Sequence, residues 1–232
     1  MAKGRRVATR AGPLQWRPLA PLNHGVVRLP ASRRVTRLIA NLVGAAGAGV
    51  FAWSGWRHYV QTHSLIGAAF FAEELWIVLV YVLRRPAVKV STRTDDWLFA
   101  FAGTFGGVLF RPSGLHSHLG IVAGAYAQAL GLALCVVSFA ALGRSFGFAP
   151  ADRGLKRRGP YGVVRHPIYA SYVLLVTGYV LQSLSCSNLA VMILVCGADV
   201  GRIRGEERLL AAGGDYAGYR VQVRWRVVPG LW

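Results

Sequence analysis

The run SLIGAAFFAEELWIVLVYVL occupies residues 64–83, and its only charged side chains are Glu73 and Glu74. About 20 consecutive apolar residues are enough for a helix to cross the hydrocarbon core of a bilayer. Outward from this run, further apolar segments lie at about 38–56, 97–110, 119–142, 168–184 and 188–201. The segments at 97–110 and 188–201 are short, so they must tilt, kink or end among the lipid headgroups. The sequence therefore predicts an all-α, polytopic integral membrane helical bundle of five to six transmembrane helices.

The composition agrees with this fold class. Hydrophobic residues make up 54% of the 232 residues and charged residues only 16%, with a mean hydropathy of +0.40. A soluble domain usually carries more charge and fewer apolar residues. We therefore exclude a soluble protein of ordinary composition.

The chain is strongly basic. The net charge is +18, and the basic residues lie between the apolar runs instead of forming one soluble face. This distribution argues against nucleic acid as a partner. It favours membrane lipids, because basic segments next to a bilayer attract anionic headgroups.

The positions of lysine and arginine predict the orientation. With a cytoplasmic N-terminus, the cytoplasmic segments are 1–37, 84–96, 143–167 and 201–232. These segments hold all but two of the 27 lysines and arginines, and the exceptions are Arg57 and Arg111. Cytoplasmic loops of membrane proteins carry an excess of positive charge. Both termini are therefore expected inside, which requires an even number of crossings.

The chain divides into three parts. Residues 1–37 are predicted to be a basic cytoplasmic N-terminal arm, largely disordered, with no apolar stretch typical of a signal peptide. Residues 38–118 are expected to form the N-terminal transmembrane helices. Residues 119–232 contain most of the motifs that suggest chemistry.

Glu73 and Glu74 lie in the middle of an apolar run. An ionisable residue within the membrane is costly, so it suggests a functional role by default. One of the two is expected to face the interior of the bundle, unless the run bends there and lifts both towards water.

The segment GPYGVVRHPIY at 159–169 opens the fifth apolar run. Proline suits the first turn of a helix, where its missing N–H would have had no partner. His166 is therefore expected at the water boundary, next to helix N-terminal N–H groups that can bind an anionic group. Tyr161 and Tyr169 add phenol rings. The alternative is a simple anchor at the end of a span.

A second polar segment, DVGRIRGEERLL, occupies 199–210. On a helix, Asp199, Arg202 and Glu206 share one face, and Arg202 and Glu206 are spaced to form an ion pair. Glu207 is expected to point away from that face. This segment lies on the same predicted face of the membrane as His166, so the two can meet. The alternative is a solvated helix with surface ion pairs, which contribute little to stability.

Together these motifs resemble a known family. The pattern GPYGVVRHPIY, an apolar hairpin, RIRGEERLL and then DYAGYRVQVRWRVVPG is similar to the isoprenylcysteine carboxyl methyltransferase family. That family is grouped with phospholipid N-methyltransferases, which are small integral-membrane enzymes. The resemblance covers about 120–232, so 119–232 would be a methyltransferase core with a cofactor pocket.

The resemblance implies S-adenosyl-L-methionine as the methyl donor, in a pocket closed by the last helices and the C-terminal segment. Carried over by position, the cofactor-binding residues are Tyr161, His166, Pro167, Tyr169 and Glu206. Arg202 matches an arginine that contacts the substrate, and it is the expected catalytic residue. Residues 153–156 match a stretch expected to contact the cofactor through its backbone.

This chain departs from the family pattern at two places. It is about two residues shorter between Glu207 and Tyr216, which leaves the positions of Tyr216 and Tyr219 open. Ala170 and Ser171 follow Tyr169 where the family usually has glycine, which bears on helix packing and on the acceptor.

The leading hypothesis is a multi-pass membrane methyltransferase with its active site at the cytoplasmic face. It would act on a lipophilic small molecule or a lipidated substrate, at a carboxylate, an amine or a thiol. No metal is expected, because methyl transfer does not require one and the three cysteines lack metal-ligand spacing. The alternatives are a sterol-reductase-like enzyme that uses NADPH, and a non-enzymatic transport or scaffold protein.

Overall fold

The computed structural model describes residues 26–28, 34–63, 65–85, 87–112, 117–212 and 215–232. The helices of these residues are α1 (Arg34–Thr62), α2 (Leu65–Leu83), α3 (Thr94–Phe105), α4 (His118–Leu142), α5 (Pro167–Gln182), α6 (Cys186–Ala211) and α7 (Asp215–Gln222). Each predicted apolar segment lies in one of the first six helices, and α3 continues as a 3₁₀ turn, Gly106–Leu109. The prediction of a mainly helical protein is confirmed.

Helix α6 is longer than the apolar segment at 188–201 that predicted it. It continues without a break through the polar residues to Ala211. Ile203 and Leu209 are buried in this extension, so the helix keeps a packed side after the apolar composition ends. The membrane-like segment and the polar segment RIRGEERLL therefore form one rigid element.

Three short strands were not predicted. They are β1 (Val26–Arg28), β2 (Lys89–Ser91) and β3 (Ala151–Asp152), and they form an antiparallel sheet in the order β1-β2-β3. The all-α description is incomplete to this extent. Strand β1 and the start of α1 at Arg34 both lie within the predicted N-terminal arm, whereas residues 1–25 and 29–33 lie outside the described part.

The helices pack in three antiparallel pairs: α1 with α2, α4 with α5, and α3 with α6. The α4–α5 pair is the closest in backbone approach. A Cβ atom at Gly124 would lie 2.5 Å from the carbonyl oxygen of Gly178. Small residues let helices approach in this way, since packing rather than the hydrophobic effect holds helices together in lipid.

Two of the described helical segments are long and apolar enough to cross a membrane. They are His118–Ser145, which is α4 with the 3₁₀ turn that follows it, and α6. Helix α5 is apolar but has 16 residues, fewer than the ~20 of a full span. Many large apolar side chains on α1 to α4 are exposed, as lipid-facing residues would be. The number of five to six crossings stays a prediction.

Most of the basic segments meet at one end of the bundle. The N–H of Arg85 donates to the carbonyl of Arg144 (2.7 Å), and Lys89 Nζ donates to the carbonyl of Ala212 (3.0 Å). At the other end, the Asn188 side chain donates to the carbonyls of Arg111 (2.8 Å) and Ser183 (2.6 Å). The helices thus separate a polar, basic end from an end that contains Arg111.

Candidate active site

The entrance to α5 is held by the C-terminal segment. Pro167 occupies the first turn of the helix and His166 is its N-cap. The N–H groups of Arg165 and His166 donate to the carbonyls of Trp225 (2.9 Å) and Arg226 (2.8 Å). These two bonds fix the backbone that carries His166 against the C-terminal segment. The first N–H groups of α5 have no partner within the helix and point towards the polar end.

Glu206 lies beside this entrance, and each of its two carboxylate oxygens lies near a different aromatic side chain. The Tyr169 hydroxyl donates to Glu206 Oε1 at 2.5 Å, and His166 Nδ1 lies 3.7 Å from Oε2. The Glu206 side chain is 30% exposed, so it is held in place yet remains accessible. A carboxylate in this position can accept hydrogen bonds from a ligand.

Glu207 has a different environment, which the sequence reasoning missed. Its oxygens accept from Arg165 Nε (2.9 Å) and from Arg226 Nε and Nη2 (3.0 and 2.9 Å), and His166 Nε2 lies 3.4 Å away. The side chain is buried. Glu207 therefore ties α6 to the α5 entrance and to the C-terminal segment. No local sequence signal indicated this role, because Arg165 and Arg226 lie 42 and 19 residues away along the chain.

Arg202, on α6, is buried between the α3–α6 pair and the α4–α5 pair. Its Nη1 lies 3.3 Å from Asp199 Oδ1, and its guanidinium carbon lies 5.3 Å from the centre of the Tyr169 ring. Arg202 was expected to be able to pair with Glu206, but its ion pair is with Asp199, one turn earlier. Its Nε atom is buried and makes no hydrogen bond. Such a donor is costly unless a ligand completes it.

Five of the six predicted site residues line one small cavity of about 120 Å³ at the polar end. They are Tyr161, His166, Tyr169, Arg202 and Glu206. Pro167 does not line it and instead sets the start of α5 behind His166. The sequence motifs from two distant segments thus converge on one site. The roles assigned to the individual residues stay predictions.

Residues 153–156 also line the small cavity, and Arg153 does so with its side chain. The resemblance had suggested backbone contacts only. The Arg153 guanidinium packs against Gly147. Burial, together with the nearby Arg84 guanidinium, lowers the pKa of Arg153 to about 10. A carboxylate or another electron-rich group in the cavity would stabilise this buried cation.

Helix α7 closes the cavity with Tyr216 and Tyr219, despite the short spacing that had left their positions open. The Tyr219 hydroxyl donates to the Tyr161 carbonyl at 2.7 Å, which ties α7 to the 3₁₀ turn Gly159–Gly162. Burial raises the pKa of Tyr161 and raises that of Tyr219 to about 12. These phenols therefore stay neutral near pH 7 and offer rings and hydroxyl groups.

A second, large cavity of about 1150 Å³ lies between the α1–α2 pair and the α3–α6 pair. Its lining is mainly apolar and includes Phe51, Ile77, Phe101 and Val195. Val43 and Phe101 also line it and are 68% and 52% exposed. A cavity of this size and lining has space for an apolar chain.

The two cavities share a wall. The residues that line both are Phe146, Ala149, Ala151, Arg153, Tyr172 and Arg202. Arg202 therefore stands between a polar compartment and an apolar one. Within the described residues, no three His, Cys, Asp or Glu side chains are arranged to hold a metal ion.

Residues 119–212 match the family model described as phospholipid methyltransferase. The matched range contains α4, α5, α6 and all six predicted site residues. It does not include α1, α2 or α3, which supply much of the large cavity. No curated protein matches the chain.

Proposed function

We propose that this chain is a membrane methyltransferase that transfers a methyl group from S-adenosyl-L-methionine to a lipophilic acceptor, because residues 119–212 match the phospholipid methyltransferase family model. The observation that carries the proposal is the shared wall between the small polar cavity and the large apolar cavity, with Arg202 in that wall. The small cavity would receive the donor, and the large cavity would receive the acceptor.

The side chains of the small cavity fit the chemistry of this donor. S-adenosyl-L-methionine supplies a methyl group bound to a positively charged sulfur, and it carries an amino-acid end and an adenine ring. Glu206 presents a carboxylate for the ammonium group, and the first N–H groups of α5 suit the carboxylate. The rings of Tyr161 and Tyr169 suit adenine and, through cation–π attraction, the sulfonium.

The size of the small cavity has a consequence for binding. Its volume of about 120 Å³ is below the ~300 Å³ at which small-molecule sites usually begin. A bound donor must therefore extend through the shared wall or displace a lining side chain. Arg153 lines both cavities and packs against Gly147, so we infer that its side chain moves when the donor binds.

Arg202 would position the acceptor. Its buried Nε lacks a hydrogen-bond partner and its guanidinium lines both cavities. A carboxylate oxygen or a thiolate sulfur at this wall would be held by Arg202, whereas an amine would approach beside Tyr172. Methyl transfer depends mainly on alignment of the two reactants and on exclusion of water. The buried position of Arg202 serves both.

The proposed orientation places the polar end in the cytoplasm, with both termini inside and an even number of crossings. It rests on the distribution of lysine and arginine. The active site would then face the cytoplasm, where the water-soluble donor is found, while the tail of the acceptor stays at membrane depth.

Donor binding tests the proposal. Calorimetry of S-adenosyl-L-methionine on the detergent-purified full chain should show saturable binding. Glu206→Gln should weaken that binding at least ~10-fold, since a hydrogen bond to a charged group contributes about 1.5–3 kcal/mol.

Asp95→Asn is the matched control, because it makes the same change at an exposed carboxylate paired with Arg93, and its affinity should equal that of the wild type. Absence of binding in the wild type would overturn the proposal. So would binding of reduced nicotinamide dinucleotide phosphate in place of S-adenosyl-L-methionine.

A further inference from the structure

Glu73 and Glu74 both line the large cavity, although they lie in the middle of the apolar helix α2. Glu73 is buried, and the thiol of Cys135 on α4 donates to its Oε1 at 2.8 Å. The sequence had suggested no partner for it. A thiol is a weak donor, so this bond satisfies only a small part of what a buried carboxyl group requires.

Within the described residues, no lysine, arginine or histidine forms an ion pair with either glutamate. A polar group in apolar surroundings is costly unless it is hydrogen-bonded, and a charge is costlier still. The two carboxyl groups therefore have unused capacity to accept hydrogen bonds, and they offer it to whatever occupies the large cavity.

A second feature of this cavity independently indicates a ligand. Arg202 also lines it, is only 5% exposed, and has a buried Nε without a hydrogen-bond partner. The cavity thus contains two carboxyl groups without a cationic partner among the described residues and one guanidinium N–H without an acceptor, in a lining that is otherwise mainly apolar. A cavity that bound only hydrocarbon would not require these polar groups.

The two polar regions lie at different places along the cavity. Arg202 belongs to the wall shared with the small cavity, whereas Glu73 and Glu74 line the large cavity alone. A methyl group leaving the small cavity can be received only at the shared wall. The glutamates must therefore contact a part of the acceptor other than the atom that receives the methyl group.

We propose that Glu73 and Glu74 form a specificity site for an acceptor that carries a hydrogen-bond-donating group, a hydroxyl or an ammonium, in addition to its methyl-accepting atom and its apolar chain. This inference rests on the proposed function, because it takes the occupant of the large cavity to be the acceptor. The site lies outside the residues matched by the family model, so it is a property of this chain's own N-terminal helices.

Photolabelling of the full chain in lipid nanodiscs tests this site without requiring methyl transfer. The probe is tetradecanol with a diazirine in its chain, and the labelled peptides are mapped by mass spectrometry. Labelling should fall on the segments of α1, α2, α3 and α6 that line the large cavity. Dodecanol and dodecylamine should compete at least ~10-fold better than dodecyl methyl ether, which has the same chain length but cannot donate a hydrogen bond.

Glu73→Leu and Glu74→Leu should each reduce that preference at least several-fold. Glu74→Leu is the safer variant, because Glu74 does not share the bond to Cys135. Thr104→Val is the matched control, since it removes a different polar group from the same cavity, and it should keep the preference. The Glu→Gln variants separate the two sources, because glutamine cannot balance a charge but can still accept a hydrogen bond. Loss of dodecylamine competition with dodecanol competition kept identifies an ammonium, and unchanged competition by both compounds identifies a hydroxyl.

Equal competition by dodecanol and dodecyl methyl ether in the wild type would overturn this proposal. So would an undiminished preference for dodecanol and dodecylamine over the ether in both leucine variants. Such a result together with intact binding of S-adenosyl-L-methionine would leave the proposed function standing. If dodecanol and dodecylamine compete better than the ether but S-adenosyl-L-methionine does not bind, the proposed function is overturned and the specificity site is kept.

Discussion

At the level of single residues, the adjacent carboxylates Glu206 and Glu207 face different surroundings. Glu206 is partly exposed, accepts a hydrogen bond from Tyr169 and lines the small cavity. Glu207 is buried and bonded to Arg165 and Arg226. We therefore propose that Glu206 binds the ligand and that Glu207 stabilises the fold.

Glu207→Gln tests this division. The substitution leaves two arginines without their carboxylate, and removal of one partner from a buried ion pair costs about 3–5 kcal/mol. We expect a clear loss of thermal stability in detergent, measured by the unfolding temperature. Glu206→Gln is the adjacent control and should unfold within a few degrees of the wild type. Equal unfolding temperatures for both variants would contradict the assignment.

The sequence predicted which residues would meet, but not how each is used. His166, Tyr169, Arg202 and Glu206 were chosen from their motifs, and the structure brings them to one cavity. The role of Glu207 could not be predicted, because its partners come from residues 165 and 226, and their approach depends on the folded C-terminal segment. Local spacing along α6 contains no information about that contact.

At the level of elements, the helices were predictable and the strands were not. Long apolar runs identify helices because a membrane imposes length and composition on them. Strands β1, β2 and β3 have two or three residues each, too few to show a periodic pattern. The continuation of α6 to Ala211 was also hidden, since the change in polarity at Gly201 marks a change of environment and not the end of the helix.

The α4–α5 contact gives a prediction at this scale. In Gly124→Ala, the new Cβ would lie 2.5 Å from the Gly178 carbonyl oxygen, so the two helices must separate. Overpacking of this kind costs about 1–3 kcal/mol, and the unfolding temperature in detergent should fall. Gly197→Ala is the control on α6, where a Cβ meets open space, and it should be neutral or stabilising. A neutral Gly124→Ala would show that the helices are not in close contact.

For the whole molecule, the arrangement of helix pairs creates the site. Helices α4, α5, α6 and α7 surround the small cavity, and the α1–α2 pair stands apart from α3 and α6 to leave the large one. Sequence patterns could not predict this gap, because it depends on how far apart the pairs stand. The orientation rests on the distribution of charge alone and stays a prediction.

Cys186 is a natural reporter of that orientation. It is exposed at the start of α6, at the end of the bundle that contains Arg111. With both termini in the cytoplasm, Cys186 lies outside, so a membrane-impermeant maleimide should label it in intact cells. Cys186→Ser should abolish the label. A cysteine placed at the exposed Arg158 in that variant should react only after permeabilisation, and the reverse pattern would contradict the orientation.

Methyl transfer itself is the most direct test of the proposed function. The purified chain, reconstituted in lipid, is incubated with S-adenosyl-L-methionine labelled in the methyl group and with a membrane lipid extract, and label in the organic phase is counted. We expect label in an organic-soluble product with the wild type. Arg202→Ala should lower this label at least ~100-fold, because the acceptor would no longer be aligned, and should still bind the donor. Donor binding without any transfer of label to an organic-soluble product would contradict the proposed function.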